Sequence, residues 1–138
     1  RSLFLEEPGK AGITCTKQPR EVIYAEIALR INPDLHVIYI TRDPRDVVVS
    51  RHAKQPDKYF VSASFYLRAE RCAGRLLNHP RFIVVRYEDL VCAPDTVQAR
   101  IAERLPFLAI KHRFSEFHLH AAVSRNSARA LNGVRPPD

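Results

Sequence analysis

Apolar residues along this chain follow two different spacings. Short apolar runs at residues 36–41 and 82–87 predict two buried strands, and residues 13–16 allow a third short strand. Apolar positions three to four residues apart predict helices. These helices cover residues 19–31, 44 to about 53, 58–78 and 94 to about 105. Because helices and strands alternate, the pattern predicts an α/β fold with a parallel sheet.

The length and composition indicate one domain. The chain has 138 residues, 46% of them hydrophobic and 27% charged, which is ordinary for a globular protein. No apolar run approaches the ~20 residues that span a bilayer, so we expect no transmembrane segment in this chain. We therefore expect a single partial domain over residues 1–138 and a cytoplasmic location.

The formal charge of +7 favours an anionic partner, which narrows the kinds of ligand to consider. Nucleic acid, a membrane surface and a small polyphosphorylated ligand all fit this charge. However, Lys and Arg form no long run and do not alternate with aromatic residues, so we expect no nucleic-acid partner. Cys15, Cys72 and Cys92 are far apart, and the His residues lack metal-ligand spacing. We therefore expect no disulfide framework and no metal.

The turn after the first strand carries the first candidate chemistry. Arg42 follows the strand, Asp43 is a suitable N-cap, and Pro44 suits the first helical position. Ser50 lies about two helical turns further on, so a guanidinium and a hydroxyl can converge on one anion. Spacing alone is equally consistent with a solvated surface helix whose charges only cap it.

A second candidate follows the second strand, in the segment Arg86-Tyr87-Glu88-Asp89-Leu90. Ligands of open α/β sheets lie beyond the carboxyl ends of the strands, where both Arg42 and Tyr87 are predicted to stand. Packing of Tyr87 against a neighbouring helix is the structural alternative. We assign Glu88 and Asp89 to capping the following turn.

These two segments resemble the phosphate- and adenine-binding elements of sulfotransferases that use 3′-phosphoadenosine-5′-phosphosulfate (PAPS). The resemblance covers roughly residues 13–135; it is specific at residues 42–50 and 86–90 and loose elsewhere. It implies a three-layer parallel sheet of the P-loop NTPase-like sulfotransferase type, of which this chain would be the central and C-terminal part. It also implies that Arg42 and Ser50 hold the 3′-phosphate, that Tyr87 lies beside the adenine, and that PAPS is the cosubstrate without a metal.

The segment Thr16-Lys17-Gln18-Pro19 resembles the short catalytic segment of the Lys-bearing carbohydrate, tyrosyl-protein and bacterial classes of this family. The resemblance implies that Lys17 is catalytic and stabilises the leaving phosphate. Gln18 departs from the usual Ser, Thr or Asp, and a solvated loop cation is the alternative for Lys17. No Gly-rich loop for the 5′-phosphosulfate is found, so we expect a partial chain that is inactive in isolation.

The sequence thus predicts sulfuryl transfer from PAPS to a hydroxyl or amine acceptor of unknown type. A P-loop kinase or NTPase relative is an alternative that requires a Mg²⁺-binding acid at a strand end. A non-catalytic basic module that binds polyanions or nucleic acid is another. The segment 131–138 resembles the run that leads into a cofactor-covering loop, whereas Arg125, Arg129 and Arg135 are expected to be solvated.

Overall fold

A computed structural model describes residues 12–17, 20–52 and 55–120 of the chain. The segment 131–138 and the three arginines at 125, 129 and 135 lie outside these described residues. In chain order the elements are a 3₁₀ turn (Glu21–Tyr24), α1 (Ala25–Ile31), β1 (Val37–Thr41), α2 (Pro44–Val49), β2 (Arg51–His52), β3 (Gln55–Tyr59), α3 (Ala63–Gly74), β4 (Phe82–Arg86), α4 (Tyr87–Cys92), α5 (Pro94–Arg104), a second 3₁₀ turn (Phe114–Glu116) and α6 (Phe117–His120).

Strands β1 and β4 pair in parallel at the centre of the described structure. Both are rich in β-branched and aromatic residues, which suit a pleated strand. β4 is largely buried, as predicted, whereas β1 exposes Ile38 and Ile40 on one of its faces, so the prediction of a buried strand is wrong for that face. Their register aligns Val37 with Phe82 and Thr41 with Arg86, so both strands end at the same edge. The two predicted strands are confirmed, although the second ends one residue early because Tyr87 begins α4.

Each face of the β1–β4 pair contributes to a separate apolar cluster. On one face Phe82 packs with Ala25 and Leu29 of α1 and with residues from the end of α3. On the other face Ile83 and Val85 pack against α5. Strand side chains alternate between faces, which explains why neighbouring β4 residues belong to different clusters. The described sheet is a small parallel one, and the complete three-layer architecture stays a prediction.

Several predicted boundaries need correction. The helix predicted over 44–53 ends at Val49, and an antiparallel hairpin of β2 and β3 follows it. Three consecutive valines end α2, and β-branched residues are weak helix formers. The helix predicted over 58–78 covers only Ala63–Gly74, since the Ser62 hydroxyl caps its start by accepting from the Phe65 N–H at 3.2 Å. The short strand that residues 13–16 would allow is not formed, since residues 12–17 are irregular.

The helices predicted over 19–31 and 94–105 are confirmed, the first beginning as the 3₁₀ turn Glu21–Tyr24. Among the described helices, none has both the length and the apolar character required to cross a membrane.

Candidate functional site

The carboxyl edge of the β1–β4 pair brings Arg42 and Tyr87 together. Arg42 follows Thr41, Tyr87 follows Arg86, and Thr41 and Arg86 are register partners. The Arg42 guanidinium carbon lies 4.7 Å from the centroid of the Tyr87 ring. This distance is within the range of a cation–π interaction, so the two predicted site residues are in contact.

The start of α2 is fixed by Asp43 and Arg45. The Asp43 carboxylate accepts the Arg45 backbone N–H at 2.8 Å and forms an ion pair with its guanidinium at 2.7 Å. These hydrogen bonds from Arg45 lower the pKa of Asp43 to about 2, so the cap is charged at neutral pH. The predicted N-cap and the first-position Pro44 are thereby confirmed.

Arg42 has a second partner in Asp46, which lies in the first turn of α2. The Arg42 Nε and Nη2 atoms donate to Asp46 Oδ2 at 3.2 and 2.9 Å, and the Arg42 side chain is 43% exposed. A guanidinium has five N–H donors, so within the described residues three stay available to another acceptor. This pairing was not predicted, although the i,i+4 spacing of Asp46 from Arg42 is the signal that indicates it.

Ser50 is exposed and lies at the other end of α2. It is the C-cap: its N–H donates to the Val47 carbonyl at 3.3 Å, and its own carbonyl accepts the Phe60 N–H at 2.9 Å. The prediction placed Ser50 inside a longer helix, whereas it joins α2 to the hairpin. Arg42 and Ser50 flank α2, whose six residues rise about 9 Å. The Arg42 side chain extends along α2 as far as Asp46, which brings its guanidinium nearer to Ser50 than the Arg42 backbone is.

Lys17 is exposed and lies in the irregular segment 12–17. The described residues provide it with no hydrogen bond or ion pair, and Gln18 and Pro19 lie outside them. The catalytic role of Lys17 stays a prediction.

Two side chains hold the peptide bond that joins Arg42 to Asp43. Glu88 Oε1 accepts the Asp43 N–H at 2.9 Å, and the Tyr66 hydroxyl donates to the Arg42 carbonyl at 3.3 Å. Glu88 was predicted only to cap its own turn, so its contact with the neighbouring strand end is new. Sequence spacing gave no signal for it, since 45 residues separate Glu88 from Asp43.

The site is open to solvent, since the Arg42 side chain is 43% exposed and Tyr87 is 40% exposed. One cavity of about 330 Å³ is lined by β4 and α5, and another of about 430 Å³ by α5 and residues 108–120. Arg42 and Tyr87 line neither of them.

Across residues 12–17, 20–52 and 55–120, no group of three His, Cys, Asp or Glu side chains is arranged to hold a metal ion. The three cysteines, Cys15, Cys72 and Cys92, are free thiols.

Comparison with known families agrees with this geometry. The profile of the family described as the sulfotransferase family matches residues 2–107, which is more than half of the chain. The chain therefore belongs to the sulfotransferase family, a family of transferases. A search of curated proteins and a search of solved structures gave no significant match. The resemblance inferred from the segments 42–50 and 86–90 is confirmed at the level of the family.

Proposed function

We propose that this chain belongs to a PAPS-dependent sulfotransferase that modifies a hydroxyl or amine acceptor. The observation that carries the proposal is the contact of Arg42 with Tyr87 at the shared carboxyl edge of two parallel strands. A guanidinium beside an aromatic ring offers a charge-assisted contact to a phosphate and a stacking surface to a base. A 3′-phosphorylated adenine nucleotide has both of these groups, a phosphate and a base.

The donor groups present fit a 3′-phosphate. Arg42 retains three N–H donors beyond its bonds to Asp46, and Ser50 adds an exposed hydroxyl. The Asp46 carboxylate opposes an incoming anion, so the phosphate must share the guanidinium with it. When bound, PAPS would supply the sulfuryl group that is transferred.

Lys17 would stabilise negative charge and would not transfer a proton. Negative charge grows on the leaving phosphate during sulfuryl transfer, and a positioned ammonium stabilises it. The exposure of Lys17 and its place one helix upstream of β1 support this role. Tyr87 would orient the adenine through its ring.

Isothermal titration calorimetry with 3′,5′-ADP tests the assignment of Arg42. Arg42→Ala should weaken binding about ten- to a hundredfold, because it removes a hydrogen bond to a charged group. The matched control is Arg45→Ala. It removes the same charge, three residues after Arg42, and the Arg45 side chain is 89% exposed. We expect the control to bind within about twofold of the wild type.

Two outcomes contradict the assignment. Unchanged affinity of Arg42→Ala excludes Arg42 as the 3′-phosphate ligand. Equal weakening by Arg42→Ala and Arg45→Ala indicates binding driven by net charge, which is the behaviour of a polyanion-binding module.

A further inference from the structure

The peptide group between Arg42 and Asp43 is held at both of its polar atoms. Its carbonyl oxygen accepts from the Tyr66 hydroxyl at 3.3 Å, and its N–H donates to the Glu88 carboxylate at 2.9 Å. In a trans peptide the C=O and N–H bonds lie in one rigid plane and point in opposite directions within it. The contacts also come from different elements, since Tyr66 belongs to α3 and Glu88 to α4.

The Glu88 carboxylate is suited to this contact. Its side chain is only 30% exposed, and its second oxygen lies 3.7 Å from Arg86 Nε. The Asp43 N–H and the Glu88 N–H both lower the pKa of Glu88, so it accepts as a carboxylate at neutral pH. Glu88 directly follows Tyr87, whose ring contacts the Arg42 guanidinium. Two neighbouring residues of α4 therefore contact the Arg42 segment, one at its side chain and one at its backbone.

Holding this peptide fixes the backbone torsion that follows the Arg42 Cα atom, and so restrains the turn from which the Arg42 side chain extends. The turn lies beyond the last ladder pair, Thr41 with Arg86, so the strand pairing does not fix it. We propose that Glu88 and Tyr66 are positioning residues that hold the Arg42–Asp43 peptide so that the guanidinium meets the 3′-phosphate. This inference depends on the proposed function and adds two residues to its site.

The test measures 3′,5′-ADP affinity by calorimetry for Glu88→Ala, Glu88→Gln and the control Asp89→Ala. Glu88→Ala should bind about tenfold more weakly, because a misplaced ligand group loses most of its contact. Glu88→Gln should bind within about threefold of the wild type, since its amide oxygen still accepts the Asp43 N–H. Asp89→Ala should match the wild type, because Asp89 faces Arg100 of α5 at 3.9 Å instead.

A double-mutant cycle separates positioning from general stability. If Glu88 acts through Arg42, then adding Glu88→Ala to Arg42→Ala should cause no further loss of affinity. Tyr66→Phe removes the other contact without changing the ring, and it should weaken binding by about threefold. This second variant also keeps the proposal testable if Glu88→Ala does not fold.

Three results would overturn the positioning role while the proposed function stands. The first is wild-type affinity for 3′,5′-ADP in both Glu88→Ala and Tyr66→Phe. The second is an equal loss of affinity in Glu88→Gln and Glu88→Ala. The third is a variant carrying both Arg42→Ala and Glu88→Ala that loses the full effect of Glu88→Ala in addition to that of Arg42→Ala. A wild-type chain that fails to bind 3′,5′-ADP overturns the proposed function itself, and the positioning role with it.

Discussion

Arg81 stabilises the junction between α1 and β1 through a single guanidinium. It stands just before β4 and contacts four backbone carbonyls around the end of α1: Nη2 donates to one of them, and the two N–H groups of Nη1 are shared among the other three. The distances are 2.6 Å to Leu29, 2.7 Å to Asn32, 2.8 Å to Pro33 and 3.1 Å to Leu35. Helix C-termini leave carbonyls without intrahelical partners, and Arg81 supplies donors for this one.

The cost of Arg81→Ala follows from which of these carbonyls are shielded from water. The contacts to Leu29 and Leu35 are partly buried, whereas those to Asn32 and Pro33 are exposed. Exposed carbonyls regain hydrogen bonds to water, so only the two shielded ones contribute substantially. At about 1.5 kcal/mol for each charge-assisted bond, Arg81→Ala should lower the free energy of unfolding by about 3 kcal/mol.

Urea denaturation followed by circular dichroism at 222 nm measures this loss. With a slope of about 2 kcal/mol/M, the midpoint should fall by about 1.5 M. The control is Arg75→Ala, which breaks an exposed ion pair of 3.1 Å with Glu26 and should cost under about 0.5 kcal/mol. Equal midpoint shifts for the two variants would refute the reasoning, because they would show that the four carbonyl contacts add nothing beyond a surface charge.

Two further predictions concern the cores and the chain beyond α5. Phe82 is 2% exposed, so Phe82→Ala should lower the free energy of unfolding by about 3–5 kcal/mol. Leu77→Ala, at a residue 59% exposed, should change it by under about 0.5 kcal/mol, and similar losses in urea denaturation would contradict the assignment of the core. Asp95 accepts both the N–H and the hydroxyl of Ser115 at 2.9 Å, and the backbone N–H contributes most to lowering the pKa of Asp95. Because the folded-state pKa lies below the unfolded value of about 4, this pair stabilises the fold above pH 4, and its contribution declines as the pH falls. The stability difference between wild type and Asp95→Ala should therefore be constant from about pH 5 to 7 and shrink below about pH 4. Thermal melts at each pH check this, and a difference that grows on acidification would show the opposite sign of linkage.

The strands and the flanking helices were predictable because their apolar residues follow one period over their whole length. The runs at β1 and β4 and the stripes of α1 and α5 are local patterns that tertiary packing reinforces. The β2–β3 hairpin was not predictable from such a pattern. Its two strands pair only with each other and form a sheet separate from the β1–β4 pair. Their sequences contain no continuous apolar run, which is the pattern that made β1 and β4 predictable.

At the site, the approach of Arg42 and Tyr87 was predictable from the rule that parallel strands end at one edge. The roles of Asp46 and Glu88 were not predicted, for different reasons. Asp46 satisfies the ordinary i,i+4 spacing of helix pairs, and that spacing alone does not single out a site residue. Glu88 acts across 45 residues, and nothing in a single sequence reports which distant N–H a carboxylate accepts.

The most direct test of the account is the affinity of the wild-type chain for 3′,5′-ADP relative to 5′-AMP, measured by calorimetry at physiological salt. The two nucleotides share the adenine, the ribose and a 5′-phosphate, so their comparison isolates the 3′-phosphate that Arg42 and Ser50 are proposed to hold. The account predicts that 3′,5′-ADP binds at least about tenfold more tightly, in keeping with one charge-assisted contact. Equal affinities would contradict a PAPS-binding site at this edge of the sheet.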